Sequence, residues 1–178
     1  MNKSLEALGA IVGLLQGNWY RIVGGYAIDG YIGHLTRPHK DIDIIILEEE
    51  LNSIQEVLRE NGYSFSLLNY KIYLLIDGVA IDLGRFQRDQ ESYWLVTLPE
   101  HKWPAYLLKG EEVTLEGIHF LVPSKEFLLS GKLSDRRRST RTDRQLLKQL
   151  GVNIKTAKKY RFSYRRFLAS TVSPEIKS

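Results

Sequence analysis

Two aspartates one residue apart, Asp41 and Asp43, stand at the mouth of the apolar run Ile42 to Leu47. In a β-strand alternate side chains share a face, so both carboxylates point the same way, about 7 Å apart along the strand. Their oxygens can converge on one point. Left alone they repel, and partial burial costs each several kcal/mol. A divalent cation relieves both problems, and a hard ion such as Mg²⁺ keeps positions open for water and phosphate. The plainer alternative is a solvated strand end carrying two surface acids. A third acid, Asp82 in "VAIDL", lies inside another apolar strand segment, where carboxylates are depleted. Its plainer alternative is simple alternation toward solvent. Upstream, Gly24-Gly25 follows a short strand and precedes a helix. Glycines there let backbone N–H groups approach an anion, and the helix N-terminus adds partial positive charge. Three aspartates on neighbouring strands beside such a turn form an arrangement for two-metal phosphoryl transfer.

The elements that must position these residues are legible from periodicity and turns. Leu5, Leu8, Ile11, Val12 and Leu15 predict a helix over about 4–16, stopped by Gly17-Asn18. Trp19 to Val23 reads as a short strand and Tyr26 to Tyr31 as a short helix. Thr36 to His39 is a loop, because Pro38 disfavours helix in the residue before it. Ile42 to Leu47 is a buried strand, followed by a helix holding Leu51, Ile54, Val57 and Leu58. Three strands are expected at Ser64–Leu68, Lys71–Ile76 and Val79–Leu83, with Asp77-Gly78 as a two-residue hairpin turn. Val113–Leu115 and Ile118–Val122 flank a second hairpin at Glu116-Gly117. The stretch from Gln87 to Gly110 is poorly patterned and reads as a substrate-facing loop or an irregular edge. From Pro123 the texture is helical: Ser124 caps one helix, Leu146, Leu147 and Leu150 mark a second, and a third is expected over about Lys155 to Leu168.

Composition narrows the class. The 178 residues are 43% hydrophobic and 26% charged, as in a globular protein with a sizeable core. No apolar run reaches the roughly 18–20 residues of a membrane span, and Glu6 breaks the N-terminal run, against a secretory signal. Cysteine is absent, which excludes disulfides and thiolate metal sites and fits a reducing, cytoplasmic setting. Charge is uneven. Residues 1–124 carry 10 Lys/Arg and 17 Asp/Glu, a net −7, whereas residues 125–178 carry 15 and 4, a net +11. A basic segment suits phosphates of a nucleotide or nucleic acid; most of these charges also suit a solvated helical surface.

"VGGYAIDGYIGHLTRPHKDIDIII" resembles the nucleotidyltransferase fold of the DNA polymerase beta superfamily. Within it the stretch is most similar to the lincosamide nucleotidyltransferases and the aminoglycoside 2″-adenylyltransferases. The matching elements, in order, are Gly24-Gly25, Ala27-Ile28-Asp29, Gly33, Thr36-Arg37-Pro38-His39 and Asp41-Ile42-Asp43. Asp82 falls where the family's third carboxylate stands. "PSKEFLLSGKL" resembles the family's phosphate-contacting helix, with Lys132 as its lysine, and "RSTRTDRQLLKQL" resembles the next helix, with Asp143 at an acidic position. The likeness spans roughly residues 18–150 and leaves Gln87 to Gly110 unmatched.

The resemblance implies an α+β nucleotidyltransferase fold: a mixed sheet with flanking helices in residues 1–122 and a small basic helical region in 123–178. It implies Asp41 and Asp43 as Mg²⁺ ligands, with Asp82 sharing a metal or taking the proton of an acceptor hydroxyl. Gly24, Gly25, Arg37, His39 and Lys132 are then nucleotide-binding. Arg37 and His39 have a plainer alternative as loop structure, with Arg37 paired to Asp29. The expected reaction moves a nucleoside monophosphate, AMP from ATP or its equivalent from another nucleoside triphosphate, to a small hydroxyl-bearing acceptor such as an antibiotic, with two Mg²⁺ ions. Transfer to tRNA or protein, as by nucleotidyltransferase toxins, and a non-catalytic nucleotide-binding module are the alternatives. A homodimer is compatible by analogy, and no membrane role is expected.

Overall fold

The computed structural model describes residues 2–134 and 137–162. Helix α1 (Lys3–Leu14) begins where the Asn2 side chain accepts a hydrogen bond from the Ser4 N–H, and it buries Ala7, Leu8, Ile11 and Val12 on one face. Strand β1 (Tyr20–Ile22), helix α2 (Gly24–Ile32) and strand β2 (Asp41–Leu47) follow. Helix α3 (Leu51–Glu60) leads to β3 (Phe65–Leu67), β4 (Lys71–Ile76) and β5 (Val79–Arg88). Then come β6 (Ser92–Leu95), β7 (Trp103–Pro104) and α4 (Ala105–Leu108). A separate ribbon of β8 (Glu111–Leu115) and β9 (Ile118–Val122) precedes the helices α5 (Lys125–Lys132), α6 (Arg138–Gln149) and α7 (Ile154–Lys159).

The main sheet is mixed, in the order β1-β2-β5-β4-β3, with β6 added to the far end of β5 and β7 to β6. Strands β2 and β5 run parallel and every other pair runs antiparallel. Strand β2 lies between β1 and β5 and buries Ile42 and every residue from Ile44 to Leu47, which is why it reads as an unbroken apolar run beyond the aspartates. Hairpin β4–β5 turns on Asp77-Gly78, both at positive φ (51° and 83°), and β8–β9 turns on Glu116-Gly117 likewise (50° and 83°). These are left-handed pairs that match strand twist.

The architecture is the expected α+β mixed sheet with flanking helices. Three local differences have physical causes. Helix α2 starts at Gly24 rather than Tyr26, because the glycines make its first turn. Strand β5 does not stop at Leu83: it continues through Gly84 to Arg88, because β2 and then β6 supply partners along that length. The Gln87–Gly110 stretch, read as a substrate-facing loop or an irregular edge, forms the short β6, β7 and α4 at the end of the sheet and buries Tyr93, Leu95, Leu98, Trp103, Leu107 and Leu108. The expected third C-terminal helix is a six-residue α7 within the described residues; its expected continuation to Leu168 lies outside them. Among the described residues no helix is long and apolar enough to cross a membrane.

Helix α1 is held to the sheet by its apolar face. Truncating Leu8, which is fully buried, should cost about 3 kcal/mol of stability, read as a lower urea midpoint at unchanged slope; a loss below about 1 kcal/mol would contradict this packing role.

Candidate active site

The parallel register of β2 and β5 sets Asp43 directly beside Asp82 and Asp41 beside Ala80. Neighbouring strands lie about 4.8 Å apart, and residues paired in register point to the same face, so Asp41, Asp43 and Asp82 share one side of the sheet. Asp43 and Asp82 open into a cavity of about 320 Å³, and Asp41 stands exposed at the strand's start.

Gly24 is fixed by two requirements. Its φ of +69° is in the left-handed region. A Cβ there would also collide with Oδ2 of Asp43. The Val23 N–H donates to the Asp43 carbonyl at 2.8 Å, which ties the β1–α2 turn to the same aspartate. The neighbouring glycine serves another side chain: a Cβ on Gly25 would strike the His39 ring. One glycine thus admits a carboxylate and the next admits an imidazole.

The charges around the aspartates are unequal. Burial pushes the Asp43 carboxyl up to about 6, the nearby charges of Asp41 and Asp82 push the same way, and Lys132 and Arg137 offset part of it. Asp82 accepts a 2.7 Å hydrogen bond from Lys71 Nζ. Burial disfavours the Lys71 ammonium, but the bond and charge of Asp82 outweigh this and leave its pKa raised. The ammonium also lies 5.7 and 5.6 Å from the rings of Tyr70 and Tyr73.

Behind the glycines lies a second network. Asp29, fully buried on α2, accepts from Thr36 Oγ1 at 2.6 Å and pairs with His39 Nε2 at 2.5 Å. The His39 ring also rests on Tyr26 at 4.5 Å. Arg37 donates to both carboxylate oxygens of Asp143 at 3.1–3.2 Å, and Lys132 Nζ reaches Asp143 Oδ2 at 2.8 Å. Asp143, 2% exposed, therefore clamps the loop before β2 to α5 and α6. The structure brings Gly24, Asp43, Asp82 and Lys132 into one cavity. It sets Arg37 and His39 on an adjoining hollow with Asn2, Tyr26 and Thr36. Asp29 takes His39 rather than Arg37, because its carboxylate lies in the core where the imidazole reaches it and Arg37 extends to α6.

Sequence reasoning did not single out Lys71, Trp103, Phe127 or Phe162, which line the cavity. Lys71 had a signal. A two-residue turn at Asp77-Gly78 pairs Tyr73 with Asp82, which puts Lys71 diagonal to Asp82 on one face.

Among the described residues no group of three or more His, Asp or Glu side chains is arranged to hold a metal ion. The fit to a single cation is nonetheless direct. Asp43 carries carboxylate charge that burial and its neighbours leave under-compensated, with Asp41 on the same face. Asp82 is already neutralised by Lys71.

A family profile described as aminoglycoside-2″-adenylyltransferase matches residues 10–106, more than half of the chain. The chain belongs to the aminoglycoside-2″-adenylyltransferase family. It is a nucleotidyltransferase. No curated protein sequence matches it. Solved structures agree on the fold. The crystal structure of ANT(2″)-Ia in complex with adenylyl-2″-tobramycin is 17% identical with a TM-score of 0.68, over 94% of this chain and 99% of that one. Lincomycin-bound LnuA, a lincosamide antibiotic adenylyltransferase, is 21% identical with a TM-score of 0.68, over 83% and 98%. An antigenic nucleotidyltransferase-like protein from Paracoccidioides brasiliensis is 17% identical with a TM-score of 0.58, over 99% and 94%. The family match ends at residue 106, so it contains the glycine turn and the three aspartates and stops before Lys132 and Asp143.

Two stability effects follow from this geometry. Gly24→Ala should cost about 2 kcal/mol or more, seen as a lower Tm, because it combines a strained φ with a collision at Asp43; an unchanged Tm would contradict the close approach. Asp43 binds its proton more tightly folded than unfolded, so its stabilising contribution is complete below pH 4 and lost as pH rises through about 6. Asp43→Asn should therefore raise the stability of the metal-free protein at pH 8 by roughly 1–3 kcal/mol, with the gain vanishing near pH 4. A gain independent of pH would refute this.

Proposed function

We propose that this family member transfers a nucleoside monophosphate, AMP from ATP, to a hydroxyl of a small molecule, with an antibiotic as the acceptor class its family suggests. The observation that carries this reading is the Asp43–Asp82 pair facing the Gly24 turn, with Lys132 on the wall of the same cavity.

Asp41 and Asp43 are the residues to hold Mg²⁺ on the triphosphate. The ion, when bound, supplies charge neutralisation at the phosphates and polarises the attacking oxygen. In this reading the first N–H groups of α2, opened by Gly24 and Gly25, and the Lys132 ammonium, which also pairs with Asp143, take phosphate oxygens. The acceptor hydroxyl sits at Asp82. Its oxygen forms a bond to the α-phosphorus, the bond from that phosphorus to the bridging oxygen of pyrophosphate breaks, and the hydroxyl proton passes to Asp82. Lys71 holds the Asp82 carboxylate toward the cavity. A second metal at Asp82 has to displace Lys71, so the geometry favours one protein-held ion with the ammonium as the second positive charge. Arg37 and His39 act here by bracing the glycine turn and the helices rather than by direct contact with the triphosphate, as their pairing with Asp143 and Asp29 supports.

The test is label transfer from α-labelled ATP with Mg²⁺. Wild-type protein is expected to label an acceptor, and Asp43→Asn to lower the rate by at least a hundred- to a thousandfold with an intact circular dichroism spectrum. A folded Asp43→Asn protein of normal activity would refute the role of the pair.

A further inference from the structure

We propose that Asp143 is a positioning residue: it holds the Lys132 ammonium away from Asp43 and so keeps the Asp43 carboxylate open for a metal ion. This rests on the reading above that Asp43 takes a divalent cation, and adds the device that keeps that place free.

Two carboxylates compete for one lysine. Lys132 ends α5 and lines the cavity into which Asp43 and Asp82 open. Its charge is the strongest cationic influence on Asp43. Its ion pair nevertheless runs in the other direction, to Asp143 Oδ2 at 2.8 Å. A lysine stem is flexible and its ammonium is a compact point charge, so the partners on offer decide where it rests. The neighbouring carboxylate shows the opposite outcome. Lys71, at the start of β4, sits on Asp82 at 2.7 Å. An ammonium placed likewise on Asp43 would neutralise it and fill the position a metal ion needs.

Asp143 is built to win this competition. It lies on the face of α6 that also buries Thr140 and Leu147, at the spacing that puts helical residues in line. Arg37 donates to both of its oxygens: Nε and Nη2 reach Oδ1 at 3.2 and 3.1 Å, and Nη2 reaches Oδ2 at 3.2 Å. A planar guanidinium fork fixes the orientation of a carboxylate as well as balancing its charge. The oxygen that Lys132 uses is therefore held in one place. The trio of Arg37, Lys132 and Asp143 carries two cations and one carboxylate, so it keeps positive charge on the cavity wall. An ammonium has three N–H donors, and a bond to Asp143 leaves donors for an anion.

Neutralising Asp143 changes the balance. Lys132 loses its 2.8 Å partner, and Asp43 is the cavity carboxylate whose charge it already feels. Attraction between opposite charges is strong where water is scarce, so the lysine moves to Asp43 and closes the metal position from within.

The test is a titration with Mn²⁺ alone, without nucleotide, read from the electron paramagnetic resonance signal of free Mn²⁺ at about pH 8, where the Asp43 carboxyl is ionised. Wild-type protein should bind Mn²⁺ and Asp43→Asn should not. Asp143→Asn should weaken Mn²⁺ at least tenfold. In a Lys132→Met background the same change at Asp143 should alter Mn²⁺ affinity less than threefold, because the competing ammonium is gone. Arg37→Gln combined with Asp143→Asn removes one charge of each sign. It replaces the single variant if that one fails to fold, and should show the same dependence on Lys132. An equal loss of Mn²⁺ affinity with and without Lys132 overturns the inference, by reducing Asp143 to a structural support. Wild-type binding with unchanged affinity in folded Asp143→Asn overturns the inference alone. Wild-type protein with no Asp43-dependent Mn²⁺ binding overturns the metal reading itself, and the inference with it.

Discussion

Two carboxylates forced side by side in a partly buried place are the constraint around which the rest of the chain is arranged. Parallel pairing of β2 with β5 puts Asp43 against Asp82, and neither can be solvated as a free carboxylate would be. Lys71 answers one charge directly. The other is left with Lys132 and Arg137 at longer range and a pKa pushed up to about 6. That residual imbalance is the observation on which the proposed cation and polyphosphate site rests. The glycine at the start of α2 belongs to the same constraint, since no larger residue leaves room for the Asp43 carboxylate.

Much of the remaining polar structure braces this rung from behind. Asp29 and Asp143 are nearly inaccessible: Asp29 holds Thr36 and His39 of the loop that follows its helix, and Asp143 holds Lys132 and, from far along the chain, Arg37. Breaking one such buried partner leaves an uncompensated charge, so these pairs fix the loop that delivers Asp41 and the helix that delivers Lys132. Arg37 and His39 stand beside Asp41-Ile42-Asp43 in sequence. In space they hold the glycine turn in place.

The sequence made the local parts legible. A β-branched apolar run marked β2, the turn residues at Asp77-Gly78 and Glu116-Gly117 marked both hairpins, and the motif from Gly24 to Asp43 carried the family. Long-range features were hidden. Nothing local says that β2 and β5 pair in parallel, which is what sets Asp82 in register with Asp43. Gly84 read as the end of a strand because glycine is poor in strands; two flanking strands override that preference. Trp103 lay in an unpatterned stretch because β6, β7 and α4 are each too short to show a period. The partners of Arg37 and His39 were hidden because both depend on where α6 and the buried face of α2 arrive.

The central claim is that the Asp41–Asp43 strand end gathers a divalent cation opposite the glycine turn. Crystals grown with Mn²⁺ and a non-hydrolysable ATP analogue test it most directly through anomalous scattering. The account predicts a manganese peak shared by the Asp41 and Asp43 carboxylates, with the analogue's phosphates between it and Lys132 and with Lys71 still on Asp82. A nucleotide bound without metal at these aspartates, or manganese located elsewhere, would contradict it.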